Sequence, residues 1–149
     1  MNLTPDEADP DDELLIYSWV DFNRDMGTIL EKTRYNQATK CDLIVGIERG
    51  GLIPATCLSY AFGVPMMSLK GVKGTDIINK RILLVDDLTD SGKSIKRHIA
   101  EIEQYGSTVT VCTLLHNSDL GDLEVPHIYG STFSRQTEKR YFNFWWEIL

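Results

Sequence analysis

Short runs of apolar residues alternate along the chain with stretches in which apolar residues recur every three or four positions. Continuous apolar runs are typical of strands buried on both faces, and the wider spacing is typical of helices with one buried face. Four runs predict strands, at 43–47, 64–69, 81–85 and 107–116. Helical spacing predicts three helices. The second is a segment at about 54–61, and the predicted apolar faces of the first and third consist of Phe22, Met26, Ile29 and Leu30, and of Ile95, Ile99 and Ile102.

Residues with special backbone preferences predict where these helices begin and end. Asp21 is the predicted N-cap of the first helix. Pro54 suits the first turn of the second helix, and Gly63 suits its end. Ser91 or Ser94 is the predicted N-cap of the third helix.

Strands that alternate with helices predict an α/β fold, with a mostly parallel central sheet flanked by helices. Ligands of such sheets bind beyond the carboxyl ends of the strands. Two unusual turns follow predicted strands directly, Glu-Arg-Gly-Gly at 48–51 and Asp-Asp-Leu-Thr-Asp-Ser-Gly-Lys-Ser at 86–94. We therefore expect both turns to face one cleft.

The negative charge is concentrated at the start of the sequence. The net charge is -7, and residues 6–13 contain six acidic residues and no basic one, so the rest of the chain is nearly neutral. A stretch of this composition buries little apolar surface, and we expect residues 1–13 to form an acidic, disordered tail. Residues 14–149 have the length of one domain and contain no linker-like segment, which predicts a single domain.

Composition excludes several classes of protein. No apolar run approaches the roughly 18 residues that cross a bilayer, the first residues lack the features of a secretory signal, and no basic stripe indicates a nucleic-acid partner. We therefore expect a cytoplasmic protein that binds neither membrane nor nucleic acid. Cys41, Cys57 and Cys112 lie far apart among apolar residues, which predicts reduced core thiols.

The segment 86–94 ends in Gly-Lys-Ser, as a Walker phosphate-binding loop does, but its spacing excludes that motif. The motif requires a glycine five residues before its second glycine, and that position is Asp87. Small residues and hydroxyls that lead into a helix still leave unpaired backbone N–H groups at its positive end, where a phosphate binds well. The alternative is that Ser91 and Ser94 merely cap the helix.

Asp86 and Asp87 favour the phosphate-binding interpretation. Two adjacent carboxylates after a buried strand repel each other and lose hydration, so a fold keeps them where water, hydroxyls or a cation meets them. Beside a phosphate site they indicate a sugar phosphate and a hydrated divalent cation. Arg49, with Gly50 and Gly51, offers a second anion site, although an exposed turn with an incidental ion pair has the same sequence. Together the two turns predict a ligand phosphorylated at both ends.

The thirteen residues ILLVDDLTDSGKS at 82–94 resemble the signature with which type I phosphoribosyltransferases bind 5-phosphoribosyl-1-pyrophosphate (PRPP). The segments IYSWVDFN, GIERGGLIPA and YFNFWWE make the chain most similar to the xanthine-guanine and hypoxanthine branch of that family. The resemblance implies the type I phosphoribosyltransferase fold, with a small hood from about 14–20 and 126–149. It implies transfer of the phosphoribosyl group to hypoxanthine, guanine or xanthine with release of pyrophosphate, in purine salvage. Magnesium and a homodimer or homotetramer are implied as well.

The same resemblance assigns roles to individual residues. Asp86 and Asp87 would hold the ribose hydroxyls and magnesium, and the catalytic residues would be Asp87, Arg49 and Asp90, the last as general acid or base beside the purine N7. The 5′-phosphate loop would consist of Thr89, Asp90, Ser91, Gly92, Lys93 and Ser94. Pyrophosphate would be bound by Arg49, Gly50 and Gly51, with Lys70 and Lys73 as further candidates and a cis peptide bond between Glu48 and Arg49.

The base would be contacted by Tyr141, Phe142 and His116. Tyr141 would stack on the base, and His116 would stand where the branch has a lysine that donates to the purine O6. Neutral imidazole is a tautomer-dependent donor, so the preferred base stays open. The loop 70–80 is shorter than the usual lid of the family. Two alternatives remain: a PRPP- or nucleotide-binding regulatory protein with weak or no transferase activity, and a phosphoribosyltransferase for a non-purine acceptor.

Overall fold

The computed structural model describes residues 13–36 and 40–149. Its strands are β1 Leu15–Tyr17, β2 Leu43–Gly46, β3 Met66–Ser68, β4 Arg81–Thr89, β5 Thr108–Asn117, β6 His127–Phe133 and β7 Phe142–Phe144. Five of them form a central sheet in the order β3-β2-β4-β5-β6, in which every neighbouring pair is parallel. The other two, β1 and β7, pair in parallel as a separate sheet.

Helices cover both faces of the central sheet. They are α1 Trp19–Arg34, α2 Leu52–Phe62, the short α3 Gly74–Ile77, and α4 Lys93–Glu103. Met26 and Ile29 of α1 and Leu58 of α2 pack in one buried cluster on one face, whereas α4 packs its isoleucines in a second cluster on the other face. The three-layer arrangement buries the strands on both sides, which is why they read as continuous apolar runs. The predicted α/β fold with a mostly parallel sheet is confirmed.

Two predicted helix caps differ in the structure. Ser18, not Asp21, caps α1: the Ser18 hydroxyl accepts from the Asp21 backbone N–H at 3.1 Å, and the Asp21 carboxylate accepts from the Ser18 backbone N–H at 2.8 Å. The pair forms a capping box, so Asp21 lies inside the first turn. Neither Ser91 nor Ser94 caps α4, which follows Gly92 at φ 75° without a side-chain cap. Gly63, at φ 64°, ends α2 as predicted.

Two segments also extend or shift relative to the sequence prediction. Strand β4 continues past position 85 to Thr89, because its residues up to that point pair with β5. Strand β6 lies within the predicted hood at 126–149 but belongs to the central sheet, since it pairs with β5 from His127 to Phe133. The predicted tail at 1–13 lies outside the described residues except for Glu13.

A buried carboxylate joins β1 to the main body of the molecule. Asp25 of α1 is fully buried, and it accepts a hydrogen bond from the Tyr17 hydroxyl at 2.7 Å and another from Ser131. Burial and the neighbouring Asp25 charge raise the pKa of Tyr17, so the phenol stays a donor. This network fixes the start of the described chain against α1 and β6.

The cysteines are free, but they are not all core residues. Cys112 is buried and Cys41 is partly buried, whereas Cys57 is exposed. Cys57 lies on α2, whose buried residues are Pro54, Ala55 and Leu58, so its side chain falls on the outer face. In the described part of the chain, no helix combines the length and the apolar character needed to cross a membrane.

Candidate active site

The carboxyl ends of β2 and β4 lie side by side, so the turns that follow them meet. The Ile47 backbone N–H donates to the Val85 carbonyl at 2.9 Å, and the Gly51 N–H donates to the Ile47 carbonyl at 2.9 Å. A Cβ on Gly51 would overlap the Val85 carbonyl, and one on Gly50 would collide with the Asp87 carboxylate. Position 51 therefore requires glycine, because its neighbours are backbone atoms, whereas a side chain at position 50 would displace the Asp87 carboxylate. The peptide bond between Glu48 and Arg49 is cis, as predicted.

Asp86 and Asp87 lie next to each other at this edge and have no cationic partner among residues 13–36 and 40–149. The Asp87 backbone N–H donates to the Asp86 carboxylate at 2.9 Å. Burial raises the pKa of Asp86, and the charge of Asp87 raises it further. Burial also raises the pKa of Asp87, with a further contribution from Glu147. The site therefore holds acids whose charges the described residues do not offset.

These two carboxylates fit a hydrated magnesium ion better than a fully protein-bound metal. No group of three or more potential ligand residues occurs within the described ranges. Magnesium commonly takes one or two carboxylates and completes its shell with water and phosphate oxygens. A pair of desolvated acids without a basic partner has the charge and chemistry for such an ion.

Arg49 supplies positive charge in the turn that follows β2. Its side chain is exposed, and it makes no ion pair within the described segments. The preceding Glu48 accepts from the Lys70 backbone N–H at 2.8 Å, which holds the loop after β3 against the turn. The side chains of Lys70 and Lys73 are exposed on that loop. The guanidinium is thus available to an anion at the end of β2.

The start of α4 forms the third part of this edge. The helix has no side-chain cap, so its first N–H groups can bind a phosphate. Ser91, Lys93 and Ser94 are exposed around it, while Gly92 is buried and would bring a Cβ to 3.0 Å from Leu120. We call the turn 48–51, Asp86, Asp87 and the start of α4 the β2–β4 edge.

Thr89 differs from the other predicted loop residues. Its side chain is buried, and its hydroxyl lies 2.9 Å from the Thr113 hydroxyl and 3.4 Å from Nε2 of His127. Thr113 also lies 2.9 Å from the same His127 nitrogen. Thr89 therefore joins β4 to β5 and β6, and its side chain does not line the loop.

Asp90 lies in a polar cluster that the sequence did not indicate. Arg135 donates from Nε to both carboxylate oxygens of Asp90, at 3.1 and 3.2 Å, and from Nη2 at 2.8 Å. Asn117, only 7% exposed, donates to the Asp90 carbonyl at 3.2 Å and to its carboxylate at 3.3 Å. Asp119 and Ser134 complete this group, the Asp90 cluster, since Ser134 donates to the Asp119 carboxylate at 2.8 Å.

His116 lies apart from that cluster. Its ring packs 4.6 Å from the His127 ring and 4.8 Å from the Tyr129 ring, beside a cavity of about 260 Å³ that all three residues line. Burial lowers the pKa of His116, and its Nδ1 has no hydrogen-bond partner in the described structure. The next residue, Asn117, is the one that contacts Asp90. Consecutive strand residues point to opposite faces, so a one-residue difference in position decides which side chain reaches Asp90.

Tyr141 and Phe142 lie on the far side of Arg135. The Tyr141 ring centre is 5.8 Å from the Arg135 guanidinium carbon, and the Tyr141 carbonyl accepts from the Leu15 N–H at 2.9 Å. The Phe142 ring centre is 5.7 Å from the same Arg135 carbon, so both rings lie beside the Asp90 cluster, and Phe142 in addition packs 4.9 Å from the Phe133 ring. Phe144 belongs to the buried cluster that also contains residues of α1 and α2, and Trp145 and Trp146 pack against that cluster.

Residues 16–144 match a family model described as "Phosphoribosyl transferase domain". The chain belongs to the phosphoribosyltransferase family. The fold is that of type I phosphoribosyltransferases, with the five-stranded parallel sheet and its flanking helices. The resemblance inferred from segment 82–94 is confirmed.

Relatives of this chain are named for different bases. The purine phosphoribosyltransferase of Pyrococcus horikoshii Ot3 superposes with a TM-score of 0.70 at 29% identity, over 89% of this chain and 93% of that one. The xanthine-guanine-hypoxanthine phosphoribosyltransferase of Helicobacter pylori shares the fold, with a TM-score of 0.68 at 16% identity over 92% and 94% of the two chains. Orotate phosphoribosyltransferase of Bartonella tribocorum is 28% identical over 109 residues, 67% of this chain. The matched segment spans 57% of that curated relative.

Proposed function

We propose that this chain transfers the 5-phosphoribosyl group of PRPP to a 6-oxopurine base, hypoxanthine, guanine or xanthine, with release of pyrophosphate and with magnesium as cofactor. The observation that carries the proposal is the β2–β4 edge. It combines two acids and an arginine that have no ion-pair partner in the described part of the chain with an uncapped helix start at neighbouring strand ends. PRPP has the complementary groups, since it carries ribose hydroxyls between two phosphorylated positions.

Each part of the edge has a matching group in PRPP. The N–H groups at the start of α4 bind the 5′-phosphate, as helix N-termini bind anions. Asp86 and Asp87 accept hydrogen bonds from the ribose hydroxyls. Arg49 and the backbone of Gly50 and Gly51 bind the pyrophosphate, and both glycines bring that backbone close to β4 and Asp87.

The chemical step exchanges one bond at the anomeric carbon for another. The bond to pyrophosphate breaks and its electron pair leaves with the pyrophosphate, while a ring nitrogen of the base forms the new bond. The proton lost by the base goes to the Asp90 carboxylate. Arg49 stabilises the charge that develops on the leaving group, and the two acids fix the ribose. When bound, magnesium would offset the negative charge of the pyrophosphate oxygens and of Asp86 and Asp87.

The base is proposed to bind between Tyr141 and the Asp90 cluster. Tyr141 offers an aromatic face, and base stacking on such a face contributes about 1 to 3 kcal/mol. Asn117 is buried and its side chain is engaged with Asp90 and with the Asp119 backbone N–H, so we propose that it orients Asp90 and does not contact the base. His116 faces the His127 and Tyr129 rings, so we propose that it supports the wall of the site.

The purine assignment draws on two observations. The Pyrococcus horikoshii protein, named for purines, covers almost the whole chain at 29% identity. The closing segment YFNFWWE has the aromatic ending of the purine branch. The curated relatives named for orotate favour a second candidate, transfer to a pyrimidine acid, and the absence of a lysine at 116 and 117 is compatible with it.

A pyrophosphate-release assay separates these candidates. The full chain is incubated with magnesium and PRPP, and hypoxanthine, guanine, xanthine, adenine, orotate and uracil are compared with a control without base. Release that depends on a 6-oxopurine supports the proposal, and release that depends on orotate supports the second candidate. Magnesium-dependent PRPP binding by calorimetry without release with any base would contradict both and favour a regulatory protein.

The predicted homodimer or homotetramer is part of the proposal. Leu14, Ile16, Trp19 and Val20 lie close together in sequence across β1 and the start of α1, and each is at least 46% exposed. Exposed apolar groups of this kind are typical of subunit interfaces. Light scattering coupled to gel filtration tests the prediction, and a monomer at micromolar concentration would contradict it.

A further inference from the structure

We infer that Arg135 is a positioning residue that sets the orientation of Asp90 relative to the base-stacking ring of Tyr141. The inference rests on the proposed function and deepens it, because it names a residue that governs how the base is held. None of the segments that carried the resemblance in the sequence includes Arg135.

The first observation is the geometry of the ion pair. Nε and Nη2 of Arg135 donate to the two oxygens of Asp90 in a fork, at 2.8 to 3.2 Å. The two side chains are 23% and 29% exposed, whereas the arginines of surface pairs such as Arg24 and Arg81 are 56% and 58% exposed. A shielded, forked pair fixes the plane of the carboxylate as well as its position.

The second observation is that the same guanidinium holds the backbone that leads to Tyr141. Nη1 of Arg135 donates to the Glu138 carbonyl at 3.2 Å and to the Arg140 carbonyl at 2.7 Å. Arg140 directly precedes Tyr141. One planar group therefore connects the proposed proton acceptor with the proposed stacking ring, so their relative position depends on it.

The Asp90 cluster closes this arrangement into a ring of hydrogen bonds. Asn117 donates to Asp90, and the side-chain oxygen of Asn117 accepts from the Asp119 backbone N–H at 3.0 Å. The Asp119 carboxylate accepts from Ser134, the residue next to Arg135. Asp90 is thus held from two sides by groups that also hold each other. With donors on both of its oxygens, its remaining lone pairs are aimed in fixed directions at an incoming base N–H.

Charge alone does not produce this geometry. A lysine at 135 would keep the positive charge, but an ammonium is a point charge that cannot fork onto a carboxylate and reach two carbonyls in the same plane. The inference therefore predicts that Arg135→Lys behaves more like Arg135→Met than like the wild type. Arg140 provides a matched control, because it lies in the same turn, its side chain pairs with Glu138 and not with Asp90, and that side chain is 40% exposed.

The test measures initial rates of pyrophosphate release against the concentration of the best base acceptor, at saturating PRPP and magnesium. Arg135→Met and Arg135→Lys are each expected to raise the KM for the base about tenfold or more and to lower kcat, since small misplacements of a reacting group are costly. The Kd for PRPP with magnesium, measured by calorimetry, is expected to stay within about twofold of the wild type. Arg140→Met is expected to leave the KM for the base and the Kd for PRPP within about twofold of the wild-type values.

The possible outcomes separate the inference from the proposed function. A base KM of Arg135→Met equal to that of Arg140→Met would overturn the inference and leave the proposed function standing. Full recovery by Arg135→Lys would also overturn it, because charge would then suffice. Equal losses of PRPP and base affinity would show a general structural role and count against positioning. If the wild-type chain releases no pyrophosphate with any base, the proposed function fails, and the inference fails with it.

Discussion

The β2–β4 edge and the Asp90 cluster lie at the same end of the sheet, yet they treat charge in opposite ways. Along the edge, Asp86, Asp87 and Arg49 have no ion-pair partner within the described residues. In the cluster, Asp90 and Arg135 pair with each other, and neighbouring side chains complete their hydrogen bonds. The charges of the edge are therefore left for a ligand, whereas the charges of the cluster balance each other.

The difference indicates how each half of the proposed site obtains its precision. The edge relies on backbone, because glycine turns and a helix start fix where an anion can bind. The cluster relies on side chains brought together from positions far apart in the sequence, such as Asp90 and Arg135, 45 residues apart. Mutations in the edge should thus change ligand binding directly, whereas mutations in the cluster should act through geometry.

The largest effect is expected from Gly51→Ala, which breaks the backbone of the edge. A Cβ at this position would meet the Ile47 carbonyl at 2.6 Å and overlap the Val85 carbonyl, and neither can move without disturbing β2 or β4. We expect kcat/KM for PRPP to fall about 100-fold, because the whole turn 48–51, the proposed pyrophosphate site, would shift. Pyrophosphate release measures the loss.

The control for that variant is Gly121→Ala. A Cβ on Gly121 has no neighbour within 4 Å, so the variant should retain wild-type rates and stability. Wild-type activity in Gly51→Ala would contradict the packing argument for the turn.

A smaller loss is expected from Arg49→Ala, which removes the exposed cation of the edge. Transfer should slow by more than about tenfold, since a charged donor to the leaving group is lost. The free energy of unfolding should stay within about 0.5 kcal/mol of the wild type, because the side chain makes no ion pair among the described residues. Arg97→Ala, on the exposed face of α4, is the matched control and should keep full activity. Equal rates in the two variants would exclude Arg49 from the reaction.

Asp87→Asn tests the unpaired acids and should cost about tenfold in activity. Burial raises the pKa of Asp87, because its charge loses hydration there. The neutral amide should therefore fold at least as stably as the wild type while binding PRPP more weakly. Urea unfolding and calorimetry measure the two effects. A variant that binds PRPP as tightly as the exposed-loop control Asp122→Asn would argue against contact with the ribose.

The smallest effect on catalysis is expected from His127→Gln, because the His127 ring contacts the buried hydroxyls of Thr89 and Thr113 and none of the proposed ligand-binding side chains. Burial lowers the pKa of His127 to about 4, with further contributions from the charges of His116 and Lys32. The unfolded chain, with a histidine pKa of about 6.5, binds the proton more readily, so the wild type should lose about 2 kcal/mol of stability between pH 7 and pH 5. His127→Gln should not show this loss of stability between pH 7 and pH 5. Urea unfolding at both pH values measures the difference, and parallel losses in both proteins would contradict it.

Much of the fold could be predicted from the sequence because burial on both faces leaves a direct pattern. The run ILLV at 82–85 predicts a central strand, and Ile95, Ile99 and Ile102 predict the inner face of α4. The end of β4 could not be predicted, because the pairing of Thr89 with His116 depends on β5 and not on local composition. Ser18 was missed as a cap because Asp21 has the same preference for helix starts.

The candidate site divides in the same way. The residues of the β2–β4 edge occur in two short segments, 48–51 and 86–94, so their chemistry is visible in the sequence. Arg135 and Asn117 carry no local signal, since each is an ordinary polar residue until the fold brings it to Asp90. The assignment of His116 to the base depends on its position along β5. Neighbouring strand residues point to opposite faces, so the sequence alone does not decide whether residue 116 or residue 117 reaches Asp90.

The parallel pairing of β1 with β7 determines when the molecule can be completed. Leu15 pairs with Phe142, so the first described strand has its partner near the opposite end of the described chain. A ribosome releases Leu15 early and Phe142 late, and domains begin to fold while synthesis continues. β1 therefore still waits for a partner after the strands that carry Asp86 and Asp87 have been synthesised. During that interval the nascent chain lacks the ring of Tyr141, so the residues of the proposed sugar-phosphate site are made before the ring of the proposed base site.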